Sequence, residues 1–90
     1  MERKSKVILY SKPGCHLCDE MKAEILRADC SELYTLHVVN IESDPDLFAR
    51  YRHEIPVLSI NGVEVFKHRL RSEEFRARLT AGGGKPTFQT

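Results

Sequence analysis

The chain has 90 residues, a formal net charge of +1, 41% hydrophobic and 30% charged side chains, which fits one domain with a modest core and excludes disordered and fibrous classes. Its longest apolar stretch near the start, Val7-Ile8-Leu9-Tyr10, is far too short for a signal-peptide core or a membrane span, so a soluble, cytoplasmic protein without a membrane partner is expected. Basic residues gather at the two ends and acidic ones in the middle, a near-balance that argues against a nucleic-acid partner.

Lys6 to Tyr10, rich in β-branched and aromatic residues, reads as a strand apolar enough to be buried on both faces. Pro13-Gly14 breaks it. From Cys15 or His16 to about Ala28 the pattern turns helical, with Leu17, Met21 and Ile25 recurring every four residues. Cys30, at the end of that helix, reads as a small, inert apolar residue. Leu33 to Ile41 forms a second strand centred on Leu36, Val38 and Val39. Asp44-Pro45 then supplies an N-cap and a proline at the first helical position, opening a helix through about Arg52 with Leu47, Phe48 and Tyr51 on its apolar side.

Ile55 to Ile60 is a third strand and Val63 to Phe66 a fourth; the Asn61-Gly62 pair between them signals a tight hairpin in which both residues take positive φ. Ser72 is expected to cap a last helix, with Glu73 and Glu74 near its positive end, Phe75 and Leu79 facing inward and Gly82 as its stop. The domain is placed at residues 1–81, followed by a flexible tail at 82–90. The order β-α-β-α-β-β-α predicts an α/β fold: a four-stranded mixed sheet with helices on both faces, its first two strands parallel and its closing hairpin antiparallel.

The chemistry concentrates at Cys15-His16-Leu17-Cys18, just past the carboxyl end of the first strand, where ligands sit on such sheets. With Cys15 at the first helical position, one turn brings Cys18 onto the same face, within disulfide reach. Cys15 lies beside the unpaired N–H groups of the helix start, which favour its thiolate. It can attack an external disulfide, and Cys18 can resolve the mixed disulfide that results. Lys12 adds a positive charge upstream, while Asp19 and Glu20 oppose it. His16 points about 100° away from Cys15 around the helix, so it reads as an exposed residue that tunes the field at the sulfur rather than taking its proton. A structural zinc site takes four ligands; one C-x-x-C, a lone Cys30 and singly scattered histidines supply no such set, and no metal is assigned. Ile55-Pro56 opens the third strand; with a cis bond its kink turns Ile55's backbone toward the dithiol, where unpaired groups can bind a substrate peptide as an added strand.

Tyr10-Ser11-Lys12-Pro13-Gly14-Cys15-His16-Leu17-Cys18, followed by Ile55-Pro56-Val57, resembles the glutaredoxin-like branch of the thioredoxin superfamily over roughly residues 6–80. The resemblance implies a thioredoxin fold, Cys15 as nucleophile, Cys18 as resolving thiol, Pro56 as the cis-proline facing them, and Lys12 as a contact for a carboxylate of glutathione. This chain departs from the glutaredoxin pattern with His16-Leu17 between the cysteines, Glu54-Ile55 before the proline, and Lys67-His68-Arg69-Leu70 where glutaredoxins carry Gly-Gly and an acidic residue. The expected function is thiol–disulfide exchange by a monomer without a bound cofactor, acting on a disulfide-containing protein or glutathione, with glutathione as a candidate co-substrate. The alternative is a non-catalytic thioredoxin-fold module whose dithiol responds to redox state or holds a metal cluster shared between chains.

Overall fold

The computed structural model describes residues 4–80. Strand β1 (Ser5–Ser11) lies inside a sheet of order β2-β1-β3-β4. It runs parallel to β2 (Tyr34–Asn40), from Ser5 opposite Tyr34 to Ser11 opposite Asn40. It runs antiparallel to β3 (Val57–Ile60), which pairs antiparallel with β4 (Val63–Lys67). The α/β architecture read from the sequence is therefore present, with helix α1 (His16–Arg27) carrying the crossover from β1 to β2.

Alternation along β1 divides its side chains between two cores. Val7 and Leu9 are fully buried and join Met21, Ile25, Leu58 and Phe75 in the larger one, covered by α1 and by α3 (Ser72–Thr80). Tyr10 points the other way, into a smaller cluster with Ile41, Val57 and the buried Tyr51 of α2 (Pro45–Tyr51). There Tyr10 and Tyr51 stack with centroids 4.6 Å apart, and the Tyr51 hydroxyl donates to Glu64 Oε2. The helices thus lie on both faces of the sheet.

Local chemistry explains most element boundaries. Asp44 Oδ1 accepts the Asp46 N–H at 2.9 Å, and Pro45 occupies the first helical position, as the sequence predicts. Asn61 and Gly62 take φ of 51° and 88°, the positive pair that a two-residue hairpin needs. Tertiary context sets the others. β2 is an edge strand, so Val38, expected at a strand centre, is 48% exposed. Short 3₁₀ turns at Ser31–Leu33 and Ile41–Ser43 trim β2 at both ends. β3 begins at Val57 rather than Ile55: pairing with β1 ends at Val57 opposite Tyr10, and the Ile55–Pro56 peptide bond, which is cis, lies before the ladder.

Two features lie beyond any local sequence signal. Leu58 faces Phe66 while Ser59 faces Glu64, leaving Val65 as a bulge that lets Val65 and Phe66 both pack against the larger core. Ser72 is the first residue of α3 rather than its cap; its N–H donates to Glu24 Oε1 at 3.0 Å, so α1 caps α3 from across the core. The expected stop at Gly82 and the tail at 82–90 fall outside the described residues.

Candidate functional site

The turn Lys12-Pro13-Gly14 carries the chain from β1 into α1. Gly14 takes φ 77°, and a Cβ there would meet nothing within 4 Å, so the turn requires glycine for its backbone conformation rather than for space. The Cys15 N–H closes the turn onto the Lys12 carbonyl at 3.3 Å. Cys15 is the N-cap of α1 with extended backbone, so the helix begins at His16, the second of the two starts read from the sequence, and Cys15 is not its first helical residue. Its Sγ accepts the Cys18 backbone N–H at 3.1 Å, the place an Asp or Ser oxygen takes at other helix starts. The Cys18 N–H and the positive end of the helix dipole face that sulfur, an arrangement that favours negative charge there.

Cys15 and Cys18 are joined in a disulfide, with Cα atoms 5.2 Å apart. The two sulfurs differ in access: Cys15 is half-buried, whereas Cys18 is 1% exposed and packs into the core side of α1. The apolar stripe of α1 accordingly starts at Cys18, continues through Met21 and Ile25, and leaves Leu17 half-buried. His16 is 87% exposed, with Nε2 3.1 Å from Glu20 one turn on.

Register brings the proline loop to the same end of the sheet. Val57 stands opposite Tyr10, so the cis-Ile55–Pro56 bond opens beside the strand end that leads into the dithiol turn. Pro56 is fully buried and Ile55 half-buried. The Ile55 N–H, expected to be free for an added strand, donates to the Tyr51 carbonyl at 3.1 Å; the α2 C-terminus consumes that donor. The Pro56 carbonyl accepts the N–H of His68 at 2.7 Å, tying residues 67–70 to the proline loop. Lys67 Nζ lies 2.5 Å from Glu54 Oε1 across the same junction. That contact holds the Glu54 carboxyl below its ordinary range and the Lys67 ammonium above its own.

Sequence reasoning missed the surface beside the dithiol. A groove of about 280 Å³ runs between α1 and the segment after β4, lined by Leu17, Glu20 and Glu24 on one side and His68, Arg69 and Leu70 on the other. Helical spacing places Leu17, Glu20 and Glu24 on one face of α1, but no local pattern pairs that face with residues more than forty positions later. Among the described residues no three His, Cys, Asp or Glu side chains converge as a metal site, and no helix is long and apolar enough to cross a membrane.

The family model described as glutaredoxin-like domain (DUF836) matches residues 6–80. The chain belongs to that family. A solution structure of protein Ne2328 from Nitrosomonas europaea is 31% identical, covers 86% of this chain and 93% of its own, and superposes with a TM-score of 0.69. The crystal structure of target protein XcR50 from X. campestris is 26% identical over 84% of this chain and 97% of its own, with a TM-score of 0.72. Oxidised mitochondrial thioredoxin 3 from Saccharomyces cerevisiae, 9% identical over 88% of this chain and 79% of its own, shares the fold at a TM-score of 0.64. This glutaredoxin-like chain thus pairs a thioredoxin fold with a cysteine pair at disulfide distance.

Cys30 stands apart from the site. It is 3% exposed, and burial pushes its thiol up despite the nearby Arg76 guanidinium, whose Nε donates to the Ala28 carbonyl at 3.1 Å. A neutral, buried thiol is a poor nucleophile.

Proposed function

We propose that this protein is a dithiol–disulfide oxidoreductase of the cytoplasm, with Cys15 as nucleophile and Cys18 as resolving thiol. The observation that carries this reading is the asymmetric pair: a half-buried Cys15 whose sulfur caps a helix start, beside a fully buried Cys18. In the reduced protein the Cys15 thiolate attacks one sulfur of a substrate disulfide, forming a mixed disulfide and expelling the other half as a thiolate that takes a proton. Cys18 then loses its proton and attacks the Cys15 sulfur, closing the intramolecular disulfide and releasing the second half as a thiol. The protein dithiol gives up two electrons and the substrate disulfide gains them.

An external thiol reductant resets the pair; protein disulfides are the proposed substrates and glutathione the candidate co-substrate. Lys12 and the Ile55 carbonyl beside cis-Pro56 are the proposed substrate contacts, since the Ile55 N–H is already engaged. His16, held against Glu20, acts at most on the field around the sulfur.

That engaged N–H favours a second reading, a binding module that keeps the fold without turnover. Reduction of the neutral 2-hydroxyethyl disulfide by the reduced protein separates the two. Exchange that is lost in Cys15→Ser supports the enzyme; no exchange by the wild type supports the module.

A further inference from the structure

Residues 50–54 read Arg-Tyr-Arg-His-Glu and residues 67–71 read Lys-His-Arg-Leu-Arg, so five Lys/Arg and two histidines accompany a single acid, Glu54. The fold joins these two stretches beside the proline loop. Val57 stands opposite Lys67, the His68 N–H donates to the Pro56 carbonyl at 2.7 Å, and Lys67 Nζ lies 2.5 Å from Glu54 Oε1. His53 and His68 both act on that same carboxyl. The cluster reaches the dithiol, because His68 and Arg69 line the groove with Leu17, two positions after Cys15.

The charges of this rim are not balanced within the fold. Lys67 engages Glu54, and Arg50 lies 3.6 Å from Glu64. Arg52 and Arg69 are exposed, and among the described residues neither pairs with a carboxylate. Arg52 Nε donates to His53 Nε2 at 3.1 Å instead. The two acids lining the α1 wall of the groove are engaged on their own helix, Glu20 with His16 at 3.1 Å and Glu24 with Arg27 at 3.5 Å. The uncompensated charge is therefore positive and lies on the side of the proline loop. Exposed cations without a partner in their own fold draw acidic groups from outside it and steer the encounter.

We propose that the basic rim centred on Arg52 and Arg69 is a docking surface for an acidic polypeptide: the preferred substrates are protein disulfides whose cysteine is flanked by Asp or Glu. The inference rests on the exchange reading given above and adds a substrate class to it. An extended segment places successive residues about 3.3 Å apart, so the acids beside its cysteine pass over a rim drawn from two separate stretches of this chain. Basic segments meet the same rim with like charge and are turned away.

The test uses two synthetic peptides, each with one central cysteine held as a mixed disulfide with 2-mercaptoethanol and flanked on both sides by glutamates in one and lysines in the other. The reduced protein is oxidised to its disulfide in a single turnover, releasing the peptide thiol and mercaptoethanol. Each rate is divided by the rate with dithiothreitol, which removes the peptides' own difference in reactivity. After that correction the glutamate peptide should react about three- to tenfold faster at low ionic strength, the yield of two exposed charge pairs. The advantage should shrink below about twofold in 1 M salt, where the screening length is roughly 3 Å. Arg52→Glu/Arg69→Glu should reverse the preference, and the milder Arg69→Gln should about halve it. Equal corrected rates for the two peptides in the wild type, or a preference unchanged in both variants, would overturn the proposal. If the wild type reduces 2-hydroxyethyl disulfide but treats the peptides alike, this inference alone falls; if it reduces none of the three, the exchange reading falls and takes the inference with it.

Discussion

The backbone N–H of Cys18 points at the sulfur of Cys15, 3.1 Å away, so the resolving position helps cap the helix through the attacking one. The contact depends on the left-handed Gly14, φ 77°, which turns the chain so that Cys15 arrives as N-cap. Gly14→Ala should cost about 1 kcal/mol, since an L side chain at positive φ is disfavoured by roughly that amount even where space is open. A denaturant titration reads this directly: a lower midpoint with an unchanged slope is the expected result.

Lys67 and Glu54 join the end of β4 to the residue before the cis-proline bond. Glu54 is held below its ordinary value of 4.5 in the folded protein, so its contribution is complete above that value and is lost as pH falls through the lower folded one. Lys67 is held above its ordinary 10.5, so its contribution is complete below that value and fades as pH rises further. Lys67→Gln should therefore be less stable than wild type near neutrality and approach it in acid. Parallel denaturation curves across that range, with a constant gap, would rule out this account of the pair.

Tyr51 donates to Glu64 from a buried position, and burial, then the carboxylate, push its hydroxyl up to about 12 from 10.0. Its protonated form is the one the fold holds, so its share of stability is full below pH 10 and is lost as pH climbs through about 12. Absorbance titration should show one phenol ionising near 12 that disappears in Tyr51→Phe. The substitution should cost about 1.5–3 kcal/mol, the range for a hydrogen bond to a charged acceptor.

The three thiols of the reduced protein should differ sharply toward an alkylating reagent. Cys15 is half-buried at a helix start; Cys18 and Cys30 are 1% and 3% exposed. Brief treatment followed by peptide mapping should find label on Cys15, with Cys30 modified only after denaturant is added.

Much of this arrangement is legible in residues close together in the chain. The cysteine spacing, Asp44-Pro45 and Asn61-Gly62 each act through bonds within a few positions, and the structure places them as read. What escaped involves partners far apart. Glu24 and Ser72 are 48 positions distant, so the apparent N-cap serine is a helical residue instead. The Val65 bulge follows from two neighbouring side chains both seeking the same core. The Ile55 N–H looked free because nothing in the sequence shows that α2 would end with its Tyr51 carbonyl turned toward it.

The central claim is that Cys15 attacks and Cys18 resolves, and intact mass tests it most directly. Reduced wild type, Cys15→Ser and Cys18→Ser would each be exposed to 2-hydroxyethyl disulfide and weighed under denaturing, acid-quenched conditions. The account predicts that wild type loses two hydrogens, that Cys18→Ser gains one mercaptoethanol adduct mapping to Cys15, and that Cys15→Ser reacts slowly or not at all. Trapping on Cys18 in the Cys15→Ser protein at the same rate, or an unmodified Cys18→Ser protein, would contradict it.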